Sequence, residues 1–243
     1  ALTCSGSILN CHSLKADIRA GAEAGGIAAK MTAGRIEGCT VSGSICTGNG
    51  VTGTNGKPAG GIVGLVSIKT ENDIVYITDS VNYATVGNTE KDNFAGGIAG
   101  KLHRDNAKDN TTTKVSIKNC RNYGAVYSMN TTDTGYAGGI VGGTYRQKYT
   151  VLQGCINFGA VNSTTGAGGL VGNVSTALGI TVHLNFTESI NYGEVTAAVH
   201  AGGLIAGSVE NHATDSPQMR ITVDNCASLG NVTAGTYAGG VLG

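Results

Sequence analysis

Tryptophan is absent, proline occurs twice in 243 residues, and charged side chains make up 13% of the chain, against about 25% in an average globular protein. Sixteen Lys and Arg meet sixteen Asp and Glu. That neutrality excludes the basic face that nucleic-acid binding requires. No run of about 18 apolar residues occurs, which excludes a membrane-spanning helix in this segment. Cys-x-x-Cys pairs and His clusters are also missing, so no metal is expected. What is plentiful is glycine, 40 residues, with Thr, Asn, Val and Ile around it. Such a composition, almost without helix-favouring runs, points to β-structure with many turns. Apolar residues at 40% exclude a disordered chain, because they are spaced so that a continuous core can form.

Those spacings are repetitive. Ala-Gly-Gly starts at Ala24, Ala59, Ala95, Ala137, Ala167, Ala201 and Ala238, and the next residue is always aliphatic: Ile27, Ile62, Ile98, Ile140, Leu170, Leu204, Val241. Successive starts lie 35, 36, 42, 30, 34 and 37 residues apart. A second block keeps step with the first. Its anchor column reads Cys11, Cys39, Ser80, Cys120, Cys155, Ser189, Cys226, with an apolar residue three positions earlier, Ile117 and Leu152 among them. Two positions after the anchor come Asn82, Asn122, Asn157 and Asn191, and six after it Val126, Val161 and their equivalents. The first copy is out of step, with Ile18 seven residues after Cys11, so an irregularity is expected there.

A unit this short cannot bury its own apolar face, so neighbouring units must stack. Each contains three short, β-branched segments, and the predicted fold is an all-β parallel β-solenoid. It has about seven turns of roughly 35 residues, three strands to a turn, in one repeat domain spanning residues 1–243. At about 4.8 Å per coil the rod is roughly 34 Å long. The aliphatic residues after Ala-Gly-Gly, with Ile117, Leu152, Val126, Val161, Cys120 and Cys155, are the expected core. Asn82, Asn122, Asn157 and Asn191 are placed to form an amide ladder, with Tyr83, Tyr123, Phe158 and Tyr192 stacked beside it. The apolar residue and the anchor are three apart, so a corner is needed between them, as at Lys118 and Asn119, for both to face inward. Because Ser80 and Ser189 share the column of five cysteines, that position asks for a small, weakly polar side chain rather than a disulfide partner.

The Ala-Gly-Gly-Ile-Val-Gly box paired with Cys-x-Asn-x-Gly-x-Val resembles the GLUG-motif repeats of bacterial surface and secreted proteins, over Ile8 to Gly243. The resemblance implies extracellular stalks or adhesive regions, often beside other domains, without catalytic activity or cofactor. A looser similarity links the box to the Gly-Gly-Ala-Ile repeats of chlamydial polymorphic membrane proteins, which are adhesins. This chain departs from those in having Ala before the glycines and lacking their Phe-x-x-Asn partner.

Catalytic readings fare worse. No helix pattern follows any glycine box, against a phosphate loop. A carbohydrate-active β-helix needs clustered carboxylates, yet Glu37 and Asp224 lie two residues before the anchor and Asp79 and Glu188 one before it. His12, His103, His183, His200 and His212 share no column. Asp105 to Asn110 crowds oxygen ligands without the spacing of a calcium loop. An ice-binding surface needs aligned threonines, and the column seven after the anchor reads Cys46, Gly87, Tyr127, Asn162, Thr196, Thr233. Six Asn-x-Ser/Thr sequons, at Asn110, Asn130, Asn162, Asn173, Asn185 and Asn231, are no more than an Asn- and Thr-rich chain produces. The chain opens and closes inside the repeat pattern with no secretory signal, which raises head-to-tail filament assembly as an alternative. The expected function is therefore a non-enzymatic, extracellular or cell-surface rigid stalk or adhesive module. Its expected partners are adjoining domains, other copies, or surface glycans and proteins. The insertions after Lys101, Ser208 and Cys46 are the expected carriers of binding specificity.

Overall fold

The structure is a computed structural model, described here for residues 3–48, 57–70, 73–88, 93–104, 114–130, 135–175, 182–207 and 219–243. The calcium reading at residues 105–110, Asn110, His212 and most of the three long insertions lie outside these. Among the described residues there is no helix. The strands assemble into four sheets of 6, 7, 12 and 7 strands. Every pairing is parallel, and successive strands in a sheet come from successive repeats, an arrangement consistent with a parallel β-solenoid.

One repeat shows how sequence sets the path. Lys114–Lys118 lies in the second sheet, Arg121–Asn122 and Val126–Ser128 in the third, Tyr136–Gly138 in the fourth and Val141–Tyr145 in the first. That is five short strands where three apolar segments were read. The difference arises at two corners. The Ala-Gly-Gly-Ile-Val-Gly run is split after its glycines. In each copy, a Cβ on the first of them, such as Gly138, would strike the carbonyl of the residue three further on, Val141. The chain therefore doubles back there, which only glycine permits.

The corner expected near Lys118 and Asn119 falls at the residue just before the anchor. Asn10, Gly38, Asp79, Asn119, Gly154, Glu188 and Asn225 occupy it, and all seven have φ between 51° and 65°. This left-handed conformation admits Gly readily and Asn or Asp at modest cost. It lets Ile117 and Cys120, three apart, both point inward and be fully buried. The irregularity expected in the first copy is a register shift between Ser13 and Ala16 where His12–Ala20 pairs with Thr40–Thr47, with Lys15 at φ 55°.

Inside runs a single apolar core. Successive aliphatic residues of the glycine box are hydrogen-bonded neighbours: the Ile62 N–H donates to Ile98 O at 2.9 Å, Ile98 to Ile140 at 3.0 Å, and Ile140 to Leu170 at 3.0 Å. Ile62, Ile98, Ile140, Leu170, Leu204, Ile117, Leu152, Val126 and Val161 are buried. Val241, expected in the core, is instead 49% exposed, and Ile27 is half-buried. Ile27 follows the outermost strand Ala24–Gly25 and Val241 the outermost strand Tyr237–Gly239 of the fourth sheet, and the backbone of each bonds to the copy on one side, Ile62 and Leu204 respectively.

Glu188 is the costly member of the corner column, since an ordinary side chain loses about 1–2 kcal/mol in the left-handed region. Glu188→Gly should raise stability by about 1 kcal/mol, seen as a higher urea midpoint by circular dichroism. An unchanged or lower midpoint would contradict the strain assigned to this corner.

Candidate functional site

The most ordered chemistry in the molecule is a lattice of stacked side chains in three columns, one within the short strands of the third sheet and one on either side of them in sequence. The first column is the asparagines, all fully buried. Asn82 Nδ2 donates to Asn122 Oδ1, Asn122 to Asn157, and Asn157 to Asn191, each at 2.8 Å. The same Nδ2 groups donate to the carbonyls of Ala84, Gly124, Gly159 and Gly193 at 2.8–2.9 Å. At the far end Asn191 reaches Ser228 Oγ at 3.4 Å. Both amide protons are thereby used, so these buried polar groups escape the usual penalty.

Each amide rests on a bare glycine. A Cβ on Gly61 would meet the Asn82 amide, on Gly97 that of Asn122, on Gly139 that of Asn157 and on Gly169 that of Asn191, and each would also meet the carbonyl of the equivalent glycine in the next copy. Where the Asn column holds Val41 or Ser228, the corresponding Gly26 and Gly203 meet those side chains instead. The second glycine of the box and the asparagine of the other block are thus two halves of one contact, which explains why the two blocks travel together.

The anchors form the second column. Each Cys Sγ or Ser Oγ donates to the carbonyl two residues before it, bridging the left-handed corner: Cys120 to Lys118 O at 3.3 Å, Ser80 to Thr78 O at 2.9 Å, Ser189 to Thr187 O at 2.9 Å. Anchors after the first also accept from the anchor N–H of the preceding copy, as Ser80 Oγ does from Cys39 at 3.1 Å and Ser189 Oγ from Cys155 at 3.1 Å. A small group that both donates and accepts is required, and Cys and Ser are the side chains that qualify. All seven cysteines are free thiols. Burial pushes the Cys155 thiol up to about 12, and holds that of Cys120 well above its ordinary value of 9.0. Neither is a nucleophile at neutral pH.

The third column faces solvent. Tyr83, Tyr123, Phe158 and Tyr192 stack at 4.9, 4.7 and 5.1 Å between ring centroids, 3–11° from parallel, while remaining 40–54% exposed. Their faces cover one another and their edges meet water. Three of the histidines, which share no column as histidines, take places in other ring columns: His103 stacks on Tyr145, His183 on Tyr149 and His200 on Tyr237, at 4.9–5.3 Å. This was hidden in sequence because each is aligned with a tyrosine. Phe94 and Tyr145 flank the Lys101 ammonium, at 4.4 and 5.3 Å, and burial lowers its pKa to about 8.

Among the described residues the acids do not gather. Asp79 accepts a hydrogen bond from Asn119 at 3.1 Å, Glu188 one from Gln153 at 3.4 Å, and Asp17 bonds Ser44 at 2.7 Å and pairs with Arg19 at 3.3 Å. No group of three or more His, Cys, Asp or Glu able to hold a metal occurs among the described residues. A shallow cavity of about 270 Å³, lined by Met129, Asn162, Thr164, Thr196 and Ala198 among others, contains no ionisable group. Gly87, Tyr127, Asn162, Thr196 and Thr233 are in register as one column, so only the two threonines at its end pair with each other and the rest of it is unlike. No helix is long and apolar enough to cross a membrane among the described residues.

No protein-family model matches the chain, and no curated protein sequence does. In three dimensions it is similar to a crystal structure from Bacteroides ovatus described as "a putative immunoglobulin A1 protease", with a TM-score of 0.58 at 20% identity. The similarity covers 96% of this chain and 66% of that one. At that identity the likeness establishes shared architecture.

Two outcomes follow. Asn157→Ala would strip Asn122 Nδ2 of its acceptor and Asn191 Oδ1 of its donor, each inside the core, at about 1–3 kcal/mol per stranded group; chemical denaturation measures the loss. For Cys155 the thiol stays neutral in the folded chain to about pH 12 but ionises when unfolded from about 9.0. Its neutral burial therefore favours folding fully below pH 9 and loses ground as pH rises from there toward 12. The stability difference between wild type and Cys155→Ser should be constant up to pH 9 and shift in favour of the serine variant above it. A difference independent of pH would contradict the burial of this thiol.

Proposed function

We propose that this segment is a non-enzymatic, extracellular β-solenoid of about seven turns that serves as a rigid stalk or adhesive module of a larger surface protein. The observation that carries the reading is that its ordered side chains hold turn to turn. The asparagine ladder, the anchor column and the ring stacks are spent on lateral cohesion, and none of their members converges on a pocket where a substrate could be held. The repeat spelling, with its likeness to GLUG-motif proteins, supports a surface location. Chain insertions support adhesion: the chain leaves the first sheet at Arg104 and re-enters the second at Lys114, and again between Ala206 and Met219, so that two long insertions fall at one corner.

A protease reading takes its only support from the name of the Bacteroides ovatus structure. Incubating the protein with immunoglobulin A1 and a polysaccharide panel should yield intact substrates; hydrolysis by the purified protein would favour an enzyme.

A stalk has a further property that an enzyme lacks, which is that its parts are interchangeable. Deleting residues 120–154 joins Asn119 to Cys155, so the left-handed corner and the anchor are both preserved. The shortened protein should fold, lose about 4.8 Å of length in small-angle scattering, and remain accessible to antibody on intact cells. Failure of the deletion to fold, or labelling only after lysis, would contradict the proposal.

A further inference from the structure

Within the anchor column four of the five cysteines lie beside another cysteine, and Cys226 does not. Cys226 neighbours Ser189, whose N–H donates to its sulfur at 3.5 Å. Off the column, Cys4 pairs with Met31 and Cys46 with Arg19. Two pairs of cysteines are vertical neighbours, Cys11 with Cys39 and Cys120 with Cys155. They differ in access. Cys120 and Cys155 are both fully buried, whereas Cys11 is exposed and Cys39 lies directly beneath it. The Cys11 N–H donates to Cys39 Sγ at 3.4 Å and the Thr40 N–H to Cys11 O at 3.0 Å.

We propose that Cys11 and Cys39 are a redox-active pair that closes into a disulfide between the first two copies of the repeat when the protein meets a low-molecular-weight disulfide. Adjacent strands lie about 4.7–4.9 Å apart, inside the Cα separation of about 4.4–6.8 Å that a disulfide accepts. Its Cβ atoms must approach to about 3.5–4.5 Å, so the two strands must draw together slightly. The register shift between Ser13 and Ala16, directly after Cys11, marks the place where this strand already departs from the regular ladder. Cys120 and Cys155 lack such slack, being held by anchors on both sides.

The chemistry is two exchanges. The Cys11 thiolate attacks one sulfur of the small disulfide, the S–S bond breaks, and one small thiol leaves. Cys39 then gives up its proton and attacks the Cys11 sulfur, expelling the second small thiol. The protein is oxidised by two electrons, the small disulfide is reduced to two thiols, and the reverse exchange opens the bond. Cys11 is the entry point because it alone of the pair meets solvent, and burial holds the Cys39 thiol protonated above the ordinary range. No metal is needed, since no third ligand accompanies the pair among the described residues.

The test treats the native protein with oxidised glutathione, then counts thiols after denaturation and maps peptides by mass spectrometry. Free thiols should fall from the seven present by two, the intact mass by two hydrogens, and the peptides bearing Cys11 and Cys39 should be joined; dithiothreitol should restore both. Cys11→Ser and Cys39→Ser place in the column the residue it already holds at Ser80 and Ser189, so both should fold and neither should form the bond. Cys120→Ser should form it as wild type does. A stable mixed disulfide at Cys11, a bond between two molecules, or separate alkylation of Cys11 and Cys39 after oxidation would each overturn the proposal.

Discussion

The structure depends on one contact, a buried carboxamide lying against a glycine that has no side chain. An amide in an apolar interior is costly unless its protons and oxygen find partners, and here each finds them in the copies above and below. The asparagine can occupy the interior only because the wall opposite is bare at Gly61, Gly97, Gly139 and Gly169. Every other regularity is arranged so that this contact recurs at the strand spacing. The aliphatic residue after the glycines fills the core beside the amide, the anchor ties the corner, and the left-handed residue before the anchor turns the chain so that the next amide arrives above the last.

This architecture distributes cohesion along the axis. Parallel pairing, amide ladder, anchor hydrogen bonds and stacked rings all connect a copy to its neighbours. Such an array tolerates insertions at its corners. Its outward tyrosines illustrate the axial cohesion. A ring offered to a sugar must present its face, and in Tyr123 and Phe158 the faces are taken by the rings on either side. The rings bind the molecule to itself.

Much of this was legible in the sequence, because a repeat is a self-alignment. Columns read off the chain foretold parallel β-structure, which residues face inward at Ile117, Leu152 and Val126, and that something turns the chain beside Asn119. Other features were hidden for physical reasons. The splitting of the glycine box into two strands depends on where a carbonyl folds back over Gly138, and a string of small residues does not announce that. The corner column mixes Asn, Gly, Asp and Glu, so its common backbone conformation is invisible as a letter. The histidines were missed because a ring column is defined by shape, and His103 beside Tyr145 does not look like a match. Val241 was read as core from its column alone, although burial also requires neighbours on both sides.

The central claim is that the glycine is bare because the amide lies against it, beside the carbonyl of the next copy's glycine, and a double-mutant cycle on Gly139 and Asn157 tests the amide's share most directly. Gly139→Ala alone should cost at least about 1–3 kcal/mol, because its Cβ meets both the Gly169 carbonyl and the Asn157 amide. In the background of Asn157→Ala, where the amide is gone, the same substitution should cost at least 1 kcal/mol less, a coupling of the size expected for residues in contact. Strictly additive losses would mean that the two residues do not oppose one another, and the account of the fold built on that contact would be wrong.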